Sequence, residues 1–323
     1  MTEAAASTLS QRHLLGIDGL SRADLELILT TARSFREVNT RAVKKVPALR
    51  GLTVVNLFFE ASTRTRLSFE LAAKRLSADA VNFTGSASSV VKGETLLDTT
   101  RVIEAMHPDL LVVRHSHAGA AHMVASVVKG AVVNAGDGQH EHPTQALLDA
   151  FTLLERFGRT PEQGLTGKTI AIIGDIAHSR VARSNLLSLT LLGAKVRVAG
   201  PATMLPVGIE GYGVEATTCV DEAIDGADAV MMLRIQKERI QGPLMSTDRE
   251  YARCFGLTRK RAERLKEGAL ILHPGPMNRG VEIAPEVADS GRSVIFEQAE
   301  NGVAVRMAAL YLLAVGRARG EAA

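Results

Sequence analysis

Short apolar runs alternate with amphipathic segments along most of the 323-residue chain. Residues 52–59 are rich in β-branched and aromatic side chains and have the length of a buried strand. Directly afterwards, apolar residues recur at the spacing i, i+3, i+4, i+7, which is typical of an amphipathic helix: Phe69, Ala72, Ala73 and Leu76. The pattern therefore predicts a strand and a helix joined by a turn at residues 62–66.

The same alternation continues to the end of the chain. Further strands are predicted at residues 80–83, 110–113, 131–134, 169–173, 195–198, 229–233 and 269–272. Helices are predicted at residues 21–38, 95–106, 119–129, 143–157, 259–266 and 298–315, with one more after Arg180 and another that ends near Ala227. Repeated β/α alternation is typical of parallel sheets covered by helices. We therefore expect an α/β fold with two doubly wound parallel-sheet domains bridged by helices.

The chain length suits two domains of about 150 residues each. A loop rich in Gly, Thr and Pro at residues 158–167 separates the two β/α series, and the helix at 143–157 is the expected bridge. We predict a first domain at residues 1–145, completed by a C-terminal helix at 298–323 that packs back onto it. The second domain is predicted at residues 146–297.

Composition indicates a globular chain without a marked charge preference. Hydrophobic residues make up 46% and charged residues 23%, and a net charge of +3 is too small to indicate nucleic acid or a membrane surface as partner. The first residues lack the apolar core of a signal peptide, and the longest apolar stretch, 186–194, is far shorter than the ~20 residues of a membrane-spanning helix. The only cysteines, Cys219 and Cys254, suit a reducing compartment. We expect a cytoplasmic protein.

The turn at residues 62–66 has an unusual composition for a helix start. Arg64 and Arg66 lie where the helix dipole is positive, although first turns favour acidic residues. No capping-box Glu or Gln follows Ser62 or Thr63 three residues later, so backbone amides are left to donate outward. Amides, hydroxyls and a guanidinium at a helix N-terminus together suit a phosphate. A plain hydroxyl cap followed by solvated arginines is the alternative.

Polar residues follow several of the other predicted strands, where ligands bind in open α/β sheets. They are Arg114, His115 and His117 after the third strand; Asp137, His140, His142 and Gln145 after the fourth; and His178 with Arg180, Arg234 with Gln236, and His273 with Gly275 and Pro276 after later strands. His142 precedes the proline that begins a helix, and the helix dipole there favours the neutral imidazole. A neutral ring can donate to a carbonyl oxygen.

Two other kinds of site deserve comparison with this anion site. Asp137, His140 and His142, or His115 with His117, suggest a metal, but no cysteine and no obvious fourth ligand accompanies them. The segment after residues 169–173 lacks the G-x-G-x-x-G spacing of a dinucleotide site. We therefore expect neither a metal nor a cofactor.

The motifs taken together resemble those of aspartate carbamoyltransferase catalytic chains, within the aspartate/ornithine carbamoyltransferase superfamily. The matching segments are Ser62-Thr63-Arg64-Thr65-Arg66, Lys92-Gly93-Glu94, His142-Pro143-Thr144-Gln145, His178-Ser179-Arg180, Arg234-Ile235-Gln236-Lys237-Glu238-Arg239 and His273-Pro274-Gly275-Pro276. The first and third are shared with ornithine carbamoyltransferases, but the His-Pro-Cys-Gln and His-Cys-Leu-Pro motifs of the ornithine enzymes are not found here. Gly275 departs from the leucine of part of the aspartate family, which we expect to alter local flexibility more than chemistry.

This resemblance implies a cofactor-free transferase that makes N-carbamoyl-L-aspartate and phosphate in de novo pyrimidine (UMP) biosynthesis. By resemblance, carbamoyl phosphate is bound by Ser62, Thr63, Arg64, Thr65, Arg114, His142 and Gln145, of which Arg64, Thr65, Arg114 and His142 are the catalytic residues. Aspartate is bound by Lys92, Arg180, Arg234, Gln236, Gly275 and Pro276. Ser88, with Ser89 as its alternative, and Lys92 are expected to enter the site of a neighbouring subunit, which implies a homotrimer.

The residues are also compatible with three functions other than carbamoyl transfer to aspartate. They are carbamoyl transfer to ornithine or another amino acid, an NAD-dependent oxidoreductase, and a non-catalytic anion-binding subunit. Acceptor preference, cofactor binding and product formation distinguish them. The resemblance leaves open whether regulatory or dihydroorotase-like chains surround the trimer.

Overall fold

The computed structural model describes residues 8–84, 93–235 and 247–321. These residues divide into two compact units. Unit 1 contains the residues up to Leu147 together with those from Asn301 onward, and unit 2 is Leu148–Glu300. Each unit has its own sheet and its own hydrophobic core.

Unit 1 is built on a four-stranded parallel sheet in the order β2-β1-β3-β4. Its strands are β1 (Thr53–Phe58), β2 (Asp79–Thr84), β3 (Leu110–His115) and β4 (Ala131–Asp137). Its helices are α1 (Arg22–Arg36), α2 (Thr63–Arg75), α3 (Leu96–Glu104) and α4 (Ala120–Ala125), with 3₁₀ turns at Glu37–Thr40 and Pro47–Leu49. All of β4 is buried, as is usual for strands of parallel sheets.

Unit 2 is built on a five-stranded parallel sheet in the order β7-β6-β5-β8-β9. Its strands are β5 (Thr169–Ile173), β6 (Lys195–Ala199), β7 (Glu215–Thr217), β8 (Ala229–Met232) and β9 (Leu270–Leu272). Its helices are α6 (Arg180–Leu191), α7 (Val220–Ile224), α8 (Asp248–Phe255), α9 (Arg259–Glu263) and α10 (Pro285–Ala288), with 3₁₀ turns at Ala202–Met204 and Ile209–Tyr212.

Two helices run from one unit into the other along the chain. They are α5 (Pro143–Arg156) and α11 (Ile295–Glu321). The expected class, α/β with two parallel-sheet domains bridged by helices, is confirmed. None of the helices in the described ranges combines the length and the apolar character needed to cross a membrane.

Several elements differ from the predicted ones. Helix α4 ends at Ala125, earlier than the predicted residue 129, and the β-branched pair Val127-Val128 follows its end. Strand β7 lacks an apolar run, since Glu215 is exposed and its neighbours are only half-buried. Helix α8 was not predicted; it spans only eight residues, which is shorter than the window over which a helical period is recognised.

Candidate active site

The carboxyl edge of the unit 1 sheet brings together the residues predicted to bind phosphate. β1 lies between β2 and β3, so the chain moves to one side of β1 first and to the other side later. Ligands of open α/β sheets bind at such a switch point, outside the carboxyl ends of the strands. Helix α2 begins here, directly after β1. Its positive N-terminal end therefore lies where an anion would bind.

The N-cap hydroxyl at the start of α2 is not used to cap the helix. Ser62 is the N-cap residue, with φ −159° and ψ 96°, but its side chain makes no capping hydrogen bond. Thr65 is 8% exposed, whereas Thr63 and Arg64 are exposed to solvent. The prediction that no capping box closes this turn is confirmed, because the cap has no side-chain hydrogen bond. The turn thus presents polar groups outward at the end of a helix dipole.

Arg114 extends from the end of β3 beside this turn. The β3–β4 register shifts between Val113 and His115, and an irregularity of this kind re-aims the intervening side chain. Arg114 Nη1 donates to the carbonyl of Ala135 at 3.1 Å, and Nη2 donates to Glu60 Oε1 at 3.0 Å. The Arg114 side chain is only 12% exposed. The guanidinium is therefore held in one orientation at the switch point.

The loop from β4 into α5 positions His142 and Gln145. Both residues are buried, and the carbonyl of His142 accepts the amide hydrogens of Gln145 at 2.9 Å and Ala146 at 3.3 Å. Asn134 stabilises the loop by donating to Asp137 Oδ1 at 2.8 Å and accepting from the amide of Gly136 at 2.8 Å. His142 thus lies immediately before, and Gln145 within, the first turn of a helix that begins at the carboxyl end of the sheet.

A buried acidic residue joins this loop to the N-terminal segment. Glu141 Oε2 accepts the amide of Ile17 at 2.7 Å, and Oε1 accepts the amide of Asp18 at 3.2 Å. Gly16 lies so close that a Cβ there would overlap Glu141 Oε1. Because Glu141 directly precedes His142 in the chain, this contact limits where the histidine backbone can move.

The surroundings of His115, at the end of β3, disfavour its protonated form. Burial first, and the neighbouring His117 second, lower the pKa of His115, although Glu60 and Asp137 oppose this effect. The His115 Nδ1 atom accepts the amide hydrogen of His117 at 2.9 Å. The neutral imidazole therefore acts as a local hydrogen-bond acceptor.

The unit 2 sheet has its own switch point, between β5 and β8. Arg180 is the first residue of α6 and is buried. The preceding Ser179 caps the helix by accepting the amide of Ala182 at 3.1 Å. Within the same loop, Asp175 Oδ1 lies 2.7 Å from His178 Nδ1. The cap and the Asp–His pair fix the backbone that carries Arg180.

Arg234 and the segment at Gly275-Pro276 follow the two strands beyond β5. Arg234 comes after β8 and is half-buried. After β9, Gly275 has φ 66°, a left-handed conformation that favours glycine. The Gly275 amide donates to His273 Nδ1 at 2.8 Å, and His273 Nε2 lies 3.1 Å from Glu282 Oε1. This buried pair orients the loop at the edge of the sheet.

The predicted site residues thus fall into two sets by unit. Unit 1 carries Ser62, Thr63, Arg64, Thr65, Arg114, His142 and Gln145 at the ends of three adjacent strands, β1, β3 and β4. Unit 2 carries Arg180, Arg234, Gly275 and Pro276 after three adjacent strands, β5, β8 and β9. Ser88, Ser89, Lys92 and Gln236 lie outside the described residues. The roles given to all of these residues stay predictions.

Acidic residues around these sets were missed in the sequence. Glu60 contacts Arg114, Asp175 contacts His178, and Glu282 contacts His273. Glu60 lies only two residues before Ser62, so an acidic residue beside a cationic motif was an available signal. Glu282 pairs across nine residues and had no such local signal. One further group, His122 with Asp137 and His140, has the composition of a metal site, and it differs from the His142-containing set considered in the sequence.

Two protein-family models match this chain. Residues 12–155 match the model described as aspartate/ornithine carbamoyltransferase, carbamoyl-P binding domain. Residues 166–313 match the model described as aspartate/ornithine carbamoyltransferase, Asp/Orn binding domain. The two matches together cover most of the described residues of both units.

Curated proteins are similar over nearly the whole chain. The aspartate carbamoyltransferase catalytic subunit of Desulfotalea psychrophila (strain LSv54 / DSM 12343) is 56% identical over 97% of this chain and 96% of that relative. The subunit of the same name from Anaeromyxobacter sp. (strain Fw109-5) is 60% identical over 94% of this chain and 95% of that relative.

Solved structures of two activities are similar to this chain. Aspartate transcarbamoylase from Trypanosoma cruzi, in complex with carbamoyl phosphate and aspartate, has a TM-score of 0.83 and 32% identity, covering 93% of this chain and 95% of that chain. Ornithine carbamoyltransferase from Thermus thermophilus has a TM-score of 0.82 and 27% identity, covering 94% of this chain and 99% of that chain.

Proposed function

The chain belongs to the aspartate/ornithine carbamoyltransferase family, and we propose that within it the chain transfers the carbamoyl group of carbamoyl phosphate to the amine of L-aspartate. The products are N-carbamoyl-L-aspartate and phosphate, in de novo pyrimidine (UMP) biosynthesis. The observation that carries the choice of acceptor is the high identity to relatives named for the aspartate reaction. The solved aspartate and ornithine enzymes have nearly the same TM-score to this chain, 0.83 and 0.82, so similarity of fold contributes little to the choice of acceptor.

Unit 1 is the proposed carbamoyl phosphate-binding domain. The phosphate is bound by the amides and hydroxyls at the start of α2, from Ser62 to Thr65, together with Arg64 and Arg114. Arg114 is suited to this because Glu60 and a backbone carbonyl already hold its guanidinium near the end of β1. His142 donates to the carbamoyl oxygen and Gln145 contacts the carbamoyl amide. His142 immediately precedes α5 and Gln145 lies in its first turn, where the dipole favours negative charge.

Unit 2 is the proposed aspartate-binding domain. Arg180 and Arg234 follow adjacent strands on the two sides of the switch point, and a guanidinium binds a carboxylate through paired hydrogen bonds. Aspartate brings two carboxylates, whereas ornithine brings a cationic side chain that the same arginines would repel. Gly275 and Pro276 contribute backbone contacts, and Lys92 and Gln236 complete the proposed set.

The reaction needs positioning and charge stabilisation rather than a covalent enzyme intermediate. The uncharged amine of aspartate attacks the carbamoyl carbon, and a carbon–nitrogen bond forms. Negative charge that develops on the carbamoyl oxygen is stabilised by Thr65, Arg114 and His142. The bond between the carbamoyl carbon and the phosphate oxygen then breaks. Phosphate leaves with the electron pair of that bond, and it can accept the proton that the attacking amine releases.

We propose a homotrimer with shared active sites as the active assembly. Ser88, or Ser89, and Lys92 of one subunit would enter the site of its neighbour, which makes a single subunit incomplete. The proposed compartment is the cytoplasm, since Cys219 and Cys254 are both free thiols. Regulatory or dihydroorotase-like partner chains are compatible with this assembly.

The choice of acceptor is tested by measuring phosphate release from carbamoyl phosphate with L-aspartate, with L-ornithine and with no acceptor. We expect release to depend on L-aspartate and to match the formation of N-carbamoyl-L-aspartate. Release that depends on ornithine instead would refute the aspartate assignment. Binding of carbamoyl phosphate without product from either acceptor would indicate a non-catalytic subunit.

The role of Arg114 is tested by its replacement with alanine. Loss of one donor to a developing oxyanion usually lowers the rate by about 10²–10³-fold, so we expect kcat of Arg114→Ala to fall by that amount. Arg101→Ala is the matched control, since Arg101 belongs to the same unit, is 65% exposed and pairs only loosely with Asp98 at 3.7 Å. Near-normal turnover in Arg114→Ala would remove this residue from the site.

The shared site is tested by mixing two inactive variants. Arg64→Ala and Lys92→Ala subunits are each expected to be inactive alone. If Lys92 acts in the neighbouring subunit, reassembled mixtures contain some sites with neither substitution and regain part of the activity. A mixture that stays as inactive as its components, although mixed trimers are detected by mass, would contradict subunit sharing.

A further inference from the structure

Three metal-binding side chains meet on unit 1, beside the loop that leads into α5. His122 lies on α4, Asp137 is the last residue of β4, and His140 lies in the following turn. Each can present one ligand atom, and the three atoms lie within 4.8 Å of one another. The imidazole rings of His122 and His140 face each other edge to face, with centroids 5.7 Å apart.

Part of this group already has the spacing of a metal coordination shell. His140 Nδ1 lies 3.2 Å from Asp137 Oδ2. In a tetrahedral zinc site with bonds of about 2.0–2.2 Å, neighbouring ligand atoms are about 3.3–3.6 Å apart. The Asp137–His140 pair therefore needs almost no movement. The ligand atom of the exposed His122 lies within 4.8 Å of the other two, so it must approach them by at most about 1.5 Å, which a small side-chain rotation supplies.

The carboxylate of the group is fixed before any ion binds. Asp137 is 0% exposed, and its Oδ2 accepts the amide hydrogen of Gly119 at 2.7 Å. Its Oδ1 accepts from Asn134 Nδ2 at 2.8 Å and from the amide of Glu141 at 3.1 Å. These donors fix the carboxylate with His140 Nδ1 at 3.3 Å from Oδ1 and 3.2 Å from Oδ2, and a ligand held in this way loses little freedom when it binds a metal.

We propose that His122, Asp137 and His140 form a binding site for a borderline divalent transition metal such as Zn²⁺, with water in the fourth position. Two imidazoles and a carboxylate suit zinc and its neighbours, whereas Ca²⁺ and Mg²⁺ prefer oxygen ligands alone. The ion would link α4 to the loop that leads to His142, and the free energy of unfolding of unit 1 should rise with the logarithm of the metal concentration once it exceeds the dissociation constant.

The test uses the full-length protein, stripped with a chelator and then titrated with Zn²⁺ by calorimetry and with Co²⁺ by visible absorption. We expect one equivalent per chain and Co²⁺ bands typical of four coordination. His122→Ala should weaken Zn²⁺ binding by at least about tenfold. His122 is exposed, and among the described residues its side chain makes no hydrogen bond, so this variant should fold normally.

The matched control is His107→Asn, which removes an exposed histidine of the same unit outside the group. His107 has φ 55°, a conformation that asparagine tolerates, and the variant should bind zinc as the parent does. His140→Ala provides a second ligand deletion. Zinc binding that is unchanged in His122→Ala, or that is equally weakened by His107→Asn, would overturn the proposal. So would the lack of a single tight equivalent in the parent protein.

Discussion

Replacing Ser62 distinguishes clearly between two roles of its hydroxyl, capping helix α2 and binding phosphate. Serine at a helix N-cap usually stabilises the helix, and its replacement with alanine costs about 1 kcal/mol of folding free energy. The Ser62 side chain makes no capping hydrogen bond. Ser62→Ala should therefore change the free energy of unfolding by less than about 0.5 kcal/mol. If the hydroxyl binds phosphate instead, the loss appears in substrate binding.

The size of that loss follows from the chemistry of the contact. A hydrogen bond to a charged group contributes about 1.5–3 kcal/mol, so the KM for carbamoyl phosphate should rise about 10- to 100-fold in Ser62→Ala. Ser21 supplies the control, because its Oγ accepts the amide of Asp24 at 3.1 Å and donates to Asp24 Oδ2 at 2.6 Å in a capping box. Ser21→Ala should lower stability by about 1 kcal/mol and leave KM unchanged.

The assays are urea unfolding at equilibrium and steady-state phosphate release with carbamoyl phosphate as the varied substrate. The reasoning is refuted if Ser62→Ala loses as much stability as Ser21→Ala while keeping a normal KM. That result would make Ser62 an ordinary helix cap, and it would remove the main support for a phosphate site at the start of α2.

Three further predictions concern stability. Gly16→Ala should cost about 1–3 kcal/mol in urea unfolding, because its Cβ would displace the buried carboxylate of Glu141; an unchanged midpoint would contradict this packing. Although burial raises the pKa of Asp228, hydrogen bonds from Lys266, the Thr169 amide and Lys168 outweigh it and lower the folded-state pKa below 3.8. The stabilising contribution of this carboxylate is thus full above pH 3.8 and is lost as the pH falls through the lower folded-state pKa. Asp228→Asn should therefore destabilise the protein at pH 7 and progressively less as the pH is lowered below 3.8. A loss of stability that is the same at pH 7 and in acid would exclude an ionic role. Burial, and then the charges of Glu282 and Asp175, raise the pKa of Tyr251, and within the described residues its hydroxyl has no hydrogen-bond partner. Tyr251→Phe should therefore leave the free energy of unfolding unchanged or raise it. A loss above about 1 kcal/mol in urea unfolding would show that the hydroxyl has a hydrogen-bond partner.

Local patterns predicted a helix well where it has one apolar stripe, and a strand well where it is one continuous apolar run. The β1–α2 unit was recognised because apolar runs, hydroxyls and periodic spacing all lie within 25 residues of chain. Helix α5 was marked by Pro143 at its first position and by a continuous apolar stripe. In contrast, α8 has eight residues and β7 has three, so both are too short for a period to be recognised. A segment is predictable from sequence when its pattern extends over enough residues to distinguish a helix from a strand.

The pairings within the site could not be predicted in the same way. Glu282 contacts His273, and His122 approaches Asp137, because of how the chain folds back between these residues, which their spacing in the sequence does not reveal. Strand order is also set by the packing of both sheet faces together, and periodicity contains no information about which strands become neighbours. The motif residues were found because their chemistry was unusual, whereas their acidic partners are common residues in ordinary positions.

At the edges of both sheets, arginines are held in place by neighbouring acidic or polar residues. A cation that is to bind an anionic substrate must lie partly out of water, where an unpaired charge is costly. Arg114 is stabilised by Glu60, which is itself 23% exposed, so the pair keeps one side open to solvent. In unit 2, Ser179 and the Asp175–His178 pair fix the start of the helix that carries Arg180. Glu60 thus orients the Arg114 guanidinium, and polar neighbours fix the backbone at Arg180. A donor that is held in place in advance can lower a reaction barrier without first reorganising, which is what the proposed roles of these arginines require.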